Sequence, residues 1–197
     1  MEQVKCPNCS TPQMTNAGNC KVCDAALAPG VNQSGSADDA IMFPVASTKW
    51  ILMNITTFNL YGFFWHWKNW SYLKNKRGAK VLPIARAFFN ILFIPSLSTF
   101  IGEIKSELGL AKPTYNAAFL AIGAFVLNAT WKLPGLLGWV CMFSFACLSP
   151  LNDQLIEINS AQGKGNCINS KFSIANKIVI VVGGILLVLG MWGSLYE

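Results

Sequence analysis

Hydrophobic and polar positions fall along this chain in long blocks, not in a short repeating period. Blocks with little or no charge run from 50 to 67, 84 to 102, 113 to 150 and 178 to 196. Polar stretches separate them. Apolar runs of about 18 residues or more predict helices that can enter a bilayer. Within the third block, Lys132-Leu133-Pro134-Gly135 supplies a turn, which divides the block into two helices joined as a tight hairpin. The pattern therefore predicts an all-α membrane protein, a bundle of about five hydrophobic helices.

The first segment, Trp50 to Trp67, would be about 27 Å long as a helix, barely the thickness of the hydrocarbon core. Asn54, Thr56, Thr57 and Asn59 sit in its middle, followed by Gly62. Polar groups at that depth must face other helices or water, so the segment either spans or re-enters at Asn59–Gly62. Beyond it the chain is rich in aromatics and then in cations: Lys68, Lys74, Lys76, Arg77 and Lys80, with no acid among them. Rings and cations in that order predict headgroup contacts by Trp65, Trp67, Lys68, Trp70, Lys74, Lys76 and Arg77, with residues 68–80 as a cytoplasmic loop. His66, between two tryptophans, reads as a hydrogen-bonded belt residue.

The second segment, 84–102, is short and carries Pro95. Arg86 and Asn90 lie one helical turn apart on it. Arg86 either reaches back to headgroups or points into the bundle. In the first helix of the hairpin, Ala117, Ala121, Ala124 and Asn128 form a small-residue face suited to close helix contact. Together Asn54, Thr57, Arg86, Asn90 and Asn128 make a candidate intramembrane polar site. Residues 151–176 are a polar connection opening with a short amphipathic helix at the membrane surface. The last segment, Ile178 to Tyr196, is the clearest span, and Gly183, Gly184 and Gly190 permit close approach of a neighbouring helix.

Composition sharpens the class. Of the 197 residues 53% are hydrophobic and only 12% charged, with mean hydropathy +0.41. A soluble domain carries roughly 25% charged residues. The net charge of +6 sits beside hydrophobic runs, where attraction to anionic lipid is a simpler cause than nucleic acid. Met1–Val4 leads straight into CPNC, so the first hydrophobic segment is expected to serve as its own insertion signal.

The cysteines add a different chemistry. Cys6 and Cys9 form one CxxC pair, Cys20 and Cys23 a second. Two such turns complete a tetrahedral four-thiolate site for Zn2+, closed to water and hence structural. Two disulfides or a redox pair are the alternatives. Residues 1–27 are thus expected to be a zinc ribbon whose folding depends on the metal. A flexible Gly/Ser/Pro/Asp linker would follow over 28–46, and a helical transmembrane domain over 47–197. Cys141 and Cys147 read as small buried groups.

With these pieces placed, the chain resembles a family of bacterial multi-pass inner-membrane proteins of unknown function. The resemblance rests on Lys49, on Thr57, Leu60, Tyr61 and Trp65, and on Lys68-Asn69-Trp70. Pro83, Arg86-Ala87 and Phe89 continue it, and Pro150, Gln154 and Ile156-Glu157-Ile158-Asn159 complete it, across about residues 45–160. It implies a helical multi-pass fold in the bacterial inner membrane and no particular activity.

No nucleophile–base pair or open metal site is visible, and a single histidine leaves little for acid–base work. The expected function is therefore non-enzymatic: a membrane scaffold or regulator, in contact with lipids, whose ribbon docks a protein partner. The alternative is a small transporter or membrane enzyme built around the five polar residues above.

Overall fold

A computed structural model describes residues 3–5, 12–14 and 40–194. The chain divides into two compact units, Met1–Gly35 and Ser36–Glu197. In the first, strands β1 (Gln3–Lys5) and β2 (Pro12–Met14) pair antiparallel in the register Gln3↔Met14, Val4↔Gln13, Lys5↔Pro12. The four cysteines of the expected zinc ribbon, Cys6, Cys9, Cys20 and Cys23, lie outside the described residues, as does most of the linker.

The described part of the second unit is helical. Its α-helices are α1 (Ser47–Thr56), α2 (Leu60–Arg77), α3 (Pro83–Phe88), α4 (Asn90–Glu107), α5 (Ala117–Ala129), α6 (Ser149–Ala161) and α7 (Ile174–Gly193). A 3-10 helix, Gly135–Leu148, runs directly into α6. The expectation of five membrane helices is corrected here. Among the described residues only two helices are long and apolar enough to cross a membrane: the continuous Gly135–Ala161 and α7.

Local chemistry explains why the other segments fall short. Segment 50–67 is broken where Phe58 and Asn59 take left-handed backbone, at φ 52° and 66°. An asparagine tolerates that conformation, and the helix cannot continue through it. The break expected at Asn59–Gly62 thus occurs at Asn59, and it separates two helices of one helical domain. Helix α2 then continues as far as Arg77 and stops at Gly78, also left-handed at φ 66°. The basic stretch read as a loop is accordingly the end of a helix, where Lys74, Lys76 and Arg77 complement the helix dipole. Segment 84–102 is cut at Phe89 into α3 and α4, and Pro95 lies inside α4. Helix α5 has 13 residues and ends at a 3-10 turn before Pro134.

The core gathers Trp50, Trp65, Trp70, Leu73, Ile94, Leu97 and Ile101 with Leu151, Leu155 and Ile158. Helix α6 is amphipathic as expected. Its apolar face is fully buried against protein, not laid on a membrane surface. Ala124 is buried and Ala117, Ala121 and Asn128 half-buried, so the small-residue face of α5 does turn inward. Phe119, Ile122, Phe125 and Val126 of the same helix are exposed. Helix α7 is the extreme case: over its most apolar window only 6% is buried, at a mean hydropathy of 2.3.

Candidate functional site

Two polar systems are built into the apolar core. The first holds the chain entering the helical domain. Residues 40–46 were read as the end of the linker, yet Ala40, Met42 and Val45 are buried. This strap is held by carboxamides from two helices. Asn159 accepts from the Ile41 N–H at 2.8 Å and donates to the Ile41 carbonyl at 2.9 Å. Asn152 does the same to Val45, at 3.0 and 2.7 Å. Asn69 of α2 accepts from the Phe43 N–H at 2.8 Å. Alternate strap residues are thus paired with amide side chains. The end of the strap adds a parallel β-bridge to Asn169, whose N–H donates to the Pro44 carbonyl at 3.0 Å and whose carbonyl accepts from the Ala46 N–H at 3.3 Å.

Lys49 continues this system. The residue is 3% exposed, and its ammonium donates to Asn169 Oδ1 at 2.8 Å and to the Lys171 carbonyl at 2.6 Å, above the Phe172 ring. Burial lowers its pKa from the ordinary lysine value. A second buried lysine, Lys105 of α4, bonds Gln154 and pairs with Glu157 of α6 at 2.8 Å. It ties α4 to the helix that holds the strap.

The second system is a cavity of about 70 Å³ where α1, α2, α4, α5 and the 3-10 helix meet. Asn54, Asn59, Asn90, Asn128 and Ser144 bring polar groups to it. Asn54 and Asn128 each donate from Nδ2 to the carbonyl one turn back, Trp50 and Ala124, both at 2.8 Å. Asn59 donates to the Cys141 carbonyl at 3.1 Å and to Ser144 Oγ at 3.0 Å. The Oδ1 atoms of Asn54 and Asn59 are buried without a partner. Gly62 makes room for one of them: a Cβ there would sit 3.1 Å from Asn54 Oδ1.

Of the five residues expected in a polar site, Asn54, Asn90 and Asn128 converge on this cavity; Thr57 and Arg86 do not. Thr57 Oγ1 donates to the Met53 carbonyl at 2.6 Å and accepts from the Tyr61 N–H at 3.0 Å, bridging the end of α1 to the start of α2. The Arg86 guanidinium stacks 4.4 Å over the Trp70 ring and 4.9 Å over Phe93. It does not line the cavity; its Nη1 donates to Ser96 Oγ at 3.3 Å. The headgroup expectation is also corrected for Trp65 and Trp70, whose rings are fully enclosed in the core. Lys68, Lys74, Lys76 and Arg77 line the surface end of α2, and Arg77 forms a two-pronged pair with Glu107 of α4.

Sequence reasoning missed Asn59 and Ser144 as cavity residues and Asn69, Asn152 and Asn159 as strap holders. A signal was present for the last two: they lie seven residues apart, among the leucines and isoleucines of one helical face. His66, expected as a hydrogen-bonded belt residue, is fully buried with neither ring nitrogen bonded. Desolvation lowers its pKa from 6.5 to about 3, so the ring is neutral in the folded protein. Among the described residues no cluster of three or more His, Cys, Asp or Glu side chains is placed to hold a metal. Comparison with family models, curated proteins and solved structures gives no match to this chain.

Proposed function

We propose that this protein is a membrane-anchored, non-enzymatic scaffold or regulator of the bacterial inner membrane, bearing an N-terminal zinc ribbon that docks a protein partner. The observation that carries the reading is α7. It is a 20-residue helix, about 30 Å long, with Ile178, Val181, Ile185, Leu186, Val188 and Leu189 all exposed. Its length matches the hydrocarbon core. A face of that size and apolarity needs lipid or a protein partner to cover it.

The zinc reading rests on donor chemistry. Four thiols in two CxxC turns suit a closed structural Zn2+ site, and the β1–β2 hairpin flanks the first pair in sequence. The residues carrying the family resemblance also have structural roles: Lys49, Asn69, Arg86, Gln154 and Asn159 all belong to the contacts described above.

Alkaline carbonate washing of membranes from expressing cells tests the anchor. The full chain should stay in the membrane pellet, and a chain in which Val181, Ile185 and Val188 are changed to Asp should be released. Release of the unaltered chain would overturn the proposal. Affinity capture with the unaltered chain and with Cys6→Ser/Cys20→Ser then tests docking. A partner retained equally by both would remove the ribbon from the mechanism. A second reading, a small-solute site within the helical domain, is favoured by the carboxamide cavity.

A further inference from the structure

We propose that the cavity between α1, α2, α4, α5 and the 3-10 helix is a binding site for a dehydrated monovalent metal cation, Na+ or K+. Its polar side chains are four carboxamides and one hydroxyl, and none is ionisable. Asn59 donates both Nδ2 protons, to the Cys141 carbonyl and Ser144, and Asn54 and Asn128 donate one each to a carbonyl. The buried lining atoms left with no partner are oxygens, Asn54 Oδ1 and Asn59 Oδ1.

Leaving a buried acceptor unpaired costs about 1–3 kcal/mol each, so an occupant that satisfies both is favoured. An anion would find no cation lining the cavity and would face the two unpaired Oδ1 atoms. A divalent ion takes carboxylates, and no acid lines the cavity. An apolar ligand would leave both acceptors unsatisfied. A monovalent cation suits neutral oxygen ligands, as in carbonyl-lined ion pathways. The cavity of about 70 Å³ exceeds the roughly 30 Å³ share of one water, enough for an ion and a retained water. Helix dipoles do not decide the matter. The C-terminal turns of α1 and α5 favour a cation, and the N-terminal turns of α2 and α4 oppose it. The oxygen side chains decide it. This site is independent of the scaffold reading, because it lies wholly within the helical domain.

The test is thermal unfolding of the full chain in detergent at constant ionic strength, in NaCl, KCl or N-methyl-D-glucamine chloride, whose bulky cation cannot enter. The midpoint should rise and saturate with Na+ or K+ and stay flat with the bulky cation. Asn54→Leu should abolish that increment whatever its own baseline. If Asn54→Leu fails to fold, Asn90→Asp gives the decisive reading: it keeps the shape, breaks none of the amide bonds described above, adds a carboxylate to the lining and should tighten cation binding about tenfold. Identical midpoints in all three salts for the unaltered chain would show that the cavity holds water only, and would overturn the proposal. So would an undiminished increment in Asn54→Leu, or unchanged affinity in Asn90→Asp.

Discussion

Asn159 and Ile41, 118 positions apart in sequence, close a two-bond ring: the Asn159 carboxamide accepts from the Ile41 N–H and donates to its carbonyl. The remaining Nδ2 proton goes to the Leu155 carbonyl at 2.7 Å, so the amide is fully satisfied. Side-chain amides such as this one, together with the backbone bridge of Val45 to Asn169, satisfy the strap inside an apolar core.

Replacing that amide tests the strap. Asn159→Leu keeps the size of the side chain and removes both bonds, leaving an N–H and a carbonyl of Ile41 unpaired. The expected loss is about 2–4 kcal/mol. Chemical denaturation in detergent should register it, and proteolysis should cut sooner within 36–46. An unchanged midpoint would mean that the strap contributes nothing to the core.

Two adjacent glycines of α7 should behave in opposite ways. A Cβ on Gly183 would lie 1.8 Å from the Thr56 carbonyl oxygen, whereas one on Gly184 meets nothing within 4 Å. Gly183→Ala should therefore push α7 off α1 and destabilise by about 1–3 kcal/mol. Gly184→Ala should be neutral or slightly stabilising, since alanine is the better helix former by about 1 kcal/mol. Thermal unfolding of the two variants side by side checks the pair; equal effects would contradict the packing.

His66 sets an acid limit. Folded, it takes up a proton only near pH 3; unfolded, near 6.5. Between those values the unfolded chain holds the extra proton, so stability should fall as pH drops from about 6.5 toward 3. The slope is at most about 1.4 kcal/mol per pH unit from this group. Above pH 7 the group contributes no pH dependence. His66→Phe should be near neutral at pH 7.5, because neither ring nitrogen has a partner to lose, and should flatten the acid limb. A variant with the same acid limb as the unaltered protein would assign that limb to other groups.

Metal content follows from the cysteine spacing. The purified chain should carry about one zinc by elemental analysis, and Cys6→Ser/Cys20→Ser should carry none. Full occupancy in the double variant would exclude the four-thiolate site.

The sequence disclosed some of this and concealed the rest for identifiable reasons. Block hydropathy located α7, the inward face of α5 and the break at Asn59. It overcounted spans because an uncharged run does not reveal a left-handed residue such as Phe58, or a helix stop such as Phe89. It placed Trp65 and Trp70 in a lipid belt because a buried aromatic and an interfacial one have the same composition. Three of the five polar residues, Asn54, Asn90 and Asn128, line one cavity, each a carboxamide within an apolar segment. Arg86 escaped because its partner is the face of Trp70, a contact that leaves no pattern in spacing. The strap escaped most completely. Its holders are ordinary asparagines, and only the fold brings them to residues more than a hundred positions away.

That separation fixes an order of events during synthesis. Val45 waits for Asn152, Ile41 for Asn159, and Lys49 for Asn169 and Lys171, across 107 to 122 positions. Until the chain has grown to residue 152, Asn69 is the only one of these partners already made, and the set is complete only at Lys171. A ribosome stalled in α5 would therefore hold a strap with most of its polar groups unmatched and a lysine with no acceptor. The helical domain is completed by its C-terminal third, and quality control acting on the nascent chain would meet an open core for most of translation.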